Sequence, residues 1–299
     1  MSLLHLDLSE QSGKLMLRIC IPFILLWSSG ISAKTITWIY IDFAPYYILE
    51  GAKKGLGRDE RVISLLKRVM PTYKFEFVTL PASRAIHELS SPNNAYCMVS
   101  LFKTAKRAKH ISYTLESSTI GLSPSIAVRR HTLKRLGLEP GQQVSIRDLM
   151  SRHQLMLGVS ANRSFGTTLD NIINSVSSDL LVSRPGKDPL IGLTGMLLKN
   201  RVDLVLGYPS EHYHLKQLLD DNYRLTQLTI KETQGISRGY VGCTKTPKTK
   251  LAIADLNIAL KAIKSQRRFS DTMLYWLPTE LQPTLTSKLT HIDLTAPEG

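Results

Sequence analysis

The sequence predicts an α/β protein of two lobes, each built on a mainly parallel sheet, with the second lobe inserted into the first. Three observations carry this. Residues 35–101 read strand-helix-strand-helix-strand, residues 155–206 repeat that order, and the chain then supplies a crossing segment, 235–241, and a further amphipathic helix. Alternating strands and helices build parallel sheets with helices packed on them. A chain of 299 residues is long enough for two such cores.

In the first run, Thr35–Ile41 is rich in β-branched and aromatic residues and reads as a buried strand. Pro45 cannot continue a central ladder, so Asp42-Phe43-Ala44-Pro45 ends it. A glycine-rich turn from Gly51 to Gly57 follows, with Asp59 placed as a helix cap. Val62, Leu65, Leu66 and Val69 then share one helical face, which Pro71 stops. Tyr73–Thr79 alternates as a strand, and Ala82, Ala85, Ile86 and Leu89 form a second helical face. The stretch 97–114 reads as a buried strand at Cys97, a polar loop holding Thr104 and Arg107, and a second short strand. Ligands of such sheets sit beyond the strand C-terminal ends, so Asp42-Phe43, Leu80-Pro81 and Ser100-Leu101-Phe102 should share one rim.

The second unit starts near Ser123–Val128. Its strands are expected at Leu155–Val159, Asp179–Val182 and Val202–Leu206, with helices over Thr167–Val176 and Pro189–Asn200. After the crossing segment, Ile253, Leu256, Leu260 and Ile263 form another amphipathic face, Leu274–Pro278 closes the globular part, and residues beyond Glu280 read as peripheral. The expected organisation is therefore a leader at 1–33, first lobe at 34–123, second lobe at 124–234 and a return to the first lobe at 235–299.

The leader expectation rests on Lys14 and Arg18 ahead of an apolar run, Ile19–Trp27, and small residues ending at Ala33. The run is shorter than the roughly 20 residues of a permanent anchor, although an uncleaved anchor is the alternative. Met1 and Met16 both serve as starts for this signal, and export to the periplasm is expected. A hydrophobic fraction of 43% and a charged fraction of 21% describe a globular chain and exclude a disordered one. The net charge of +14 suits acidic ligands or an anionic surface. No arginine-rich run or aromatic-basic stripe points to nucleic acid. Cys97 and Cys243 follow the leader; in an oxidising compartment they either bridge or remain two buried thiols.

Several matching pieces stand in a fixed order: Asp42-Phe43-Ala44-Pro45-Tyr46, the turn and helix at Gly55–Leu66, Thr104–Arg107 followed by Ile111-Ser112-Tyr113, Gly158-Val159 leading to Ser164-Phe165-Gly166, Arg201–Gly207, and Trp276. In this order, over residues 35–280, the chain resembles the type 2 periplasmic solute-binding proteins of the amino-acid-binding kind (extracellular solute-binding protein family 3). The resemblance implies that the lobes close on a small anionic or zwitterionic solute for delivery to an inner-membrane ABC permease or to a sensor. It implies a carboxylate site at Ser100 and Arg107, an aromatic cover at Phe43 helped by Tyr40, and second-lobe contacts at Arg163 and Ser164. It places the usual ammonium-binding carboxylate at Tyr208, which cannot ionise at neutral pH; Asp42 is the substitute if it faces the cleft. It also puts Cys97 and Cys243 in the same lobe, where a bridge requires Cα atoms within about 7 Å.

Each candidate has a plainer reading beside the functional one. Arg107, flanked by Lys103, Lys106 and Lys109, is either a bidentate clamp or a surface arginine. Arg84 either reaches the cleft or pairs with Glu88 one turn on. Arg163 and Ser164 precede a helix whose free N–H groups attract anions, and Ser164 alone is a sufficient cap. Asp203 reads as a structural hydrogen-bonder. His212 and His214 do not share a helical face, and His87-Glu88 lacks the second histidine of a zinc-protease helix, so no metal or other cofactor is expected. The alternative functions are an enzyme on the same fold (a cyclic-acid dehydratase or a cell-wall lytic enzyme), with Asp42 or Glu116 as its acid-base group, and a sensor-input protein.

Overall fold

The structure is a computed structural model that describes residues 34–291 apart from Asn162, Lys187 and Gln234. The expected leader lies outside the described residues. Among these, no helix is long and apolar enough to cross a membrane.

The chain runs β1 (Lys34–Tyr40), α1 (Arg58–Val69), β2 (Tyr73–Thr79), α2 (Ala82–Ser90), β3 (Tyr96–Leu101), α3 (Ala105–Ala108), β4 (Ile111–Leu122), β5 (Ser125–Arg129), α4 (Arg130–Leu136), β6 (Gln143–Val144) and α5 (Ile146–Ser151). It continues through β7 (Leu157–Ser160), α6 (Thr167–Ser175), β8 (Leu181–Arg184), α7 (Pro189–Leu198), β9 (Leu204–Gly207), α8 (Pro209–Leu219), β10 (Leu225–Ile230) and β11 (Ile236–Thr244). Helices α9 (Pro247–Lys264), α10 (Arg267–Leu274) and α11 (Gln282–His291) complete it. One sheet has the order β2-β1-β3-β11-β4 and the other β6-β10-β5-β9-β7-β8. β1 pairs in parallel with β2 and β3, and β7 with β8 and β9, while β11 and β5 run antiparallel to their neighbours. The architecture is the two-lobed α/β fold that the strand-helix order predicts.

Two crossings between the sheets explain the mixed directions. β4 leaves the first sheet for β5, and β10 returns through β11, which settles between β3 and β4. The crossings run side by side: Ile236 sits opposite Leu122, and the Thr233 hydroxyl donates to Pro124 O at 3.5 Å. The first lobe has one core, centred on Trp38, Leu66, Val99, Ile120, Leu260 and Phe269. The second sheet is covered on both faces, by Leu157, Leu206 and Leu228 on one side and Leu193, Val205 and Leu215 on the other.

Four expectations are corrected here. Helix α1 begins at Arg58 behind Gly57, so Asp59 is not its cap but a buried residue of its first turn. Gly57 is required because a Cβ there would lie 2.3 Å from Tyr46 O. β4 is a twelve-residue strand, not a short one, and its polar stretch Thr114–Thr119 hid it. Within it the buried hydroxyls of Thr114 and Ser118 bond to backbone: Thr114 Oγ1 accepts from Val241 N at 3.1 Å, and Ser118 Oγ donates to Gly239 O at 3.1 Å and accepts from Ser100 N at 3.1 Å. Residues beyond Glu280 are not peripheral, since Leu285 and Leu289 of α11 enter the first-lobe core. Helices α4, α5, α8 and α10 and strand β10 also went unread, because their apolar faces are short or interrupted by charge.

Cys97 and Cys243 stand opposite each other in the β3–β11 ladder and form a disulfide.

Candidate functional site

A cavity of about 700 Å³ opens between the two sheets. Its first-lobe wall takes Phe43 after β1, Ala82 at the start of α2, and Ser100, Leu101 and Phe102 at the end of β3; of the rim expected from the strand ends, Asp42, Leu80 and Pro81 are not among the lining residues. The second lobe contributes Ser160 at the end of β7, Arg163 and Ser164 before α6, and Tyr208 to Ser210 where β9 gives way to α8. Ser237, Arg238 and Gly239 of the returning strand form the floor.

Four arginines line this space, Arg58, Arg107, Arg163 and Arg238, against one lining carboxylate, Asp59, among the described residues. Arg107 sits in the single turn of α3, which Thr104 caps by accepting its N–H at 3.2 Å. Its guanidinium donates to Phe102 O at 3.3 Å. A guanidinium has five N–H donors, so this one bond leaves a fork that can take a ligand oxygen pair.

Arg58 is different. Its Nε donates to Asp59 Oδ1 at 2.9 Å, its Nη2 to Ser100 Oγ at 2.5 Å, and its plane lies 4.3 Å from the centre of the Tyr46 ring. Ser100 adopts φ 65°, a left-handed conformation rare outside glycine, and its hydroxyl also meets Thr119 Oγ1 at 2.9 Å. Burial pushes the Asp59 carboxyl above its ordinary pKa despite the Arg58 charge beside it. Charge and strain are thus concentrated at the first-lobe lip.

Arg163 is engaged still more fully. Nη1 donates to Glu211 Oε2 at 3.1 Å and Nη2 to Glu211 Oε1 at 2.5 Å. Its plane also lies 5.2 Å from Phe43, 5.0 Å from Phe165 and 5.2 Å from Tyr208, measured to the ring centres. Phe43 belongs to the first lobe and the other partners to the second, so this side chain spans the cleft. Burial disfavours its charge, but the attraction of Glu211 outweighs that and holds the pKa above the ordinary arginine value. A second bridge pairs Tyr46 Oη with Ser210 Oγ at 3.2 Å.

The structure therefore brings Arg107, Ser100, Phe43, Arg163, Ser164 and Tyr208 to one cavity and leaves three expected residues out of its lining. Tyr40 packs on Tyr47 and Phe77, with ring centres 5.2 and 4.9 Å away. Arg84 is exposed and pairs with Glu88 at 3.0 Å, the plainer of its two readings. Asp42 is not among the lining residues, so it supplies no carboxylate to the cleft. Glu116 also lies elsewhere, its buried carboxylate held by Lys264 at 2.7 Å, which removes it as an acid-base candidate. Ser164 donates to Asp170 Oδ2 at 2.5 Å, while Gly166 holds the capping position of α6. Asp203 bonds Arg129 Nη2 and Met156 N, each at 3.1 Å. Among the described residues no group of three or more His, Cys, Asp or Glu side chains is placed to hold a metal ion.

The fold is shared with proteins of known structure. It aligns with a histidine kinase sensor domain similar to periplasmic binding proteins at TM-score 0.62 and 16% identity, over 82% of this chain and 96% of that one. It aligns with the probable amino-acid ABC transporter extracellular-binding protein YtmK of Bacillus subtilis at TM-score 0.62 and 17% identity, over 83% and 99%. It aligns with an ABC uptake transporter substrate-binding protein of Streptococcus pneumoniae, solved with bound histidine, at TM-score 0.60 and 14% identity, over 84% and 95%. The chain has the type 2 periplasmic-binding-protein fold. No family model and no curated protein sequence matches it.

Within this fold, sequence reasoning missed Arg58, Asp59, Ser160 and Glu211. Glu211 had a readable signal: Pro209 and Glu211 follow Tyr208 as the first and third residues of α8, and Glu211 Oε2 accepts Tyr208 N at 2.9 Å. Arg58 stands directly after the glycine-rich turn, as the first residue of α1, where no motif marks it.

Proposed function

We propose that this protein binds a small solute bearing an acidic group in the inter-lobe cavity, without catalysis, and presents the loaded form to a membrane permease. The observation that carries this is Arg107, a guanidinium in the cavity lining with one protein acceptor among the described residues, set among a surplus of arginines. A charge-assisted, forked contact is the strongest way for a side chain to recognise a carboxylate. The cross-lobe contacts of Arg163 and Tyr46 supply a two-state element, and a ligand shifts such an element only through contacts that differ between its states. The fold likeness to transporter binding proteins supports delivery to a permease, and the likeness to a histidine kinase sensor domain supports a second destination, a sensor. A periplasmic location follows from both readings.

A thermal-shift panel of amino acids, dicarboxylates and sugar acids tests the proposal. A solute present at about a hundred times its Kd adds about 2.7 kcal/mol to apparent stability. A clear rise in melting temperature with at least one acid is expected. Turnover of a bound acid would replace the binding reading with an enzymatic one.

A further inference from the structure

The proposed solute site contains an internal cation that decides which acids it accepts. We infer that the cavity takes organic anions that carry no ammonium group, because the chain's own Arg163 already fills the place for a cation. This rests on the solute-binding reading above and names the ligand class for that same cavity.

An ammonium that leaves water needs an anion or several acceptors in exchange. One carboxylate lines the cavity among the described residues, Asp59; a second, Glu211, stands behind the lining Arg163; and both are engaged. Glu211 is 1% exposed and lies behind Arg163, which bonds both of its oxygens; Tyr208 N takes one of them as well. Asp59 is 3% exposed and is held by Arg58. Aromatic faces are the other way to receive a cation. The rings of Phe43, Phe165 and Tyr208 already surround the Arg163 guanidinium at 5.0–5.2 Å. The two carboxylates and these three rings are thus satisfied from within, and the lining rings of Tyr46 and Trp276 likewise carry Arg58 and Lys53, at 4.3 and 5.0 Å.

The polar groups that remain favour an anion. Arg107 retains most of its donors. Ser160 Oγ, buried in the second-lobe wall, has no protein partner among the described residues and can donate to the same ligand from the opposite side. Between them the lining turns apolar, with Ile86, Phe102, Met273 and Leu277. An amino acid placed there would bring its ammonium among Arg58, Arg107 and Arg163 with no free counter-charge. The same molecule without its amino group would lose nothing and avoid that repulsion.

The test compares matched pairs on the mature chain by isothermal titration calorimetry: succinate with aspartate, glutarate with glutamate, and 3-phenylpropanoate with phenylalanine. The acid without the amino group is expected to bind at least about tenfold tighter in every pair that binds. Equal or tighter binding of the amino-acid members would overturn this inference and leave the solute-binding reading intact. Binding by neither series, with no rise across the wider panel, would overturn both. Arg163→Met gives a second readout, since it empties the aromatic box and exposes Glu211 to the ligand. The preference should then narrow or reverse in favour of the amino acids. An unchanged preference in a folded Arg163→Met protein would show that Arg163 does not set it. Should that variant not fold, the wild-type pairs decide.

Discussion

Removing the Cys97–Cys243 bridge is a stringent test of how the two lobes are tied into one chain. The bridge joins β3 to β11, the strand by which the chain returns after building the whole second sheet. In the unfolded state it therefore closes a loop that contains that entire lobe. For a separation of 146 residues, the loop-entropy relation gives about 5 kcal/mol at room temperature. Native bridges lost from folded domains cost about 2–5 kcal/mol, so the upper end of that range is expected here. The replacement itself adds little, since alanine leaves an apolar contact at two fully buried positions. At about 2–4 °C per kcal/mol for a chain of this size, Cys97→Ala/Cys243→Ala should lower the melting temperature by about 10 °C or more. Urea unfolding followed by circular dichroism, with wild type in reductant as a parallel arm, measures the loss. A change under about 1 kcal/mol in both arms would refute the reasoning, because the crosslink would then not constrain the unfolded chain.

Lys264→Met takes from the buried Glu116 carboxylate its partner at 2.7 Å and leaves it the exposed Lys261 at 3.6 Å, and urea unfolding should show a loss of about 3 kcal/mol, most of it regained when Glu116→Leu is added. His212 is buried, which lowers its pKa below the ordinary 6.5 although Nε2 contacts Ser125 O at 3.1 Å. The unfolded chain therefore takes up this proton first, so the stability His212 contributes is present above 6.5 and lost as pH falls through the window down to its lowered native value. Melting temperatures at about pH 7.5 and about pH 5 should differ less for His212→Gln than for wild type, and an unchanged difference would count against this. Gly239→Ala places a Cβ 2.6 Å from Ser100 Cα, so thermal melts should show destabilisation and calorimetry should show weaker acid binding at the displaced Ser100 lip.

How much of this was legible in the sequence depends on whether a residue's job is periodic. Strand β2 was read with its exact bounds and α2 by its apolar face, because each buries an alternating or helical set against one core. β4 escaped because its buried side chains are hydroxyls that bond to neighbouring backbone, and no hydrophobic period marks that function. Part of the rim, Phe43 with residues 100–102, could be placed in advance because strand ends in such sheets converge. The direction of single side chains on it could not: Tyr40 and Phe43 are three residues apart, yet one packs outside the cavity on Tyr47 and the other faces Arg163. The Arg163–Glu211 pair joins residues 48 apart in sequence, and only the fold shows that the Glu211 carboxylate, one helical turn after Tyr208, is neutralised by Arg163.

The central claim is that Arg107 holds the acid group of a bound solute. Calorimetric titration of wild type and Arg107→Ala with the acid that most raises the melting temperature tests it directly. Truncating one partner of a desolvated charge pair costs about 2–5 kcal/mol, so the account predicts a fall in affinity of at least about thirtyfold with an unchanged melting temperature of the ligand-free protein. Equal affinity in the two proteins would contradict it.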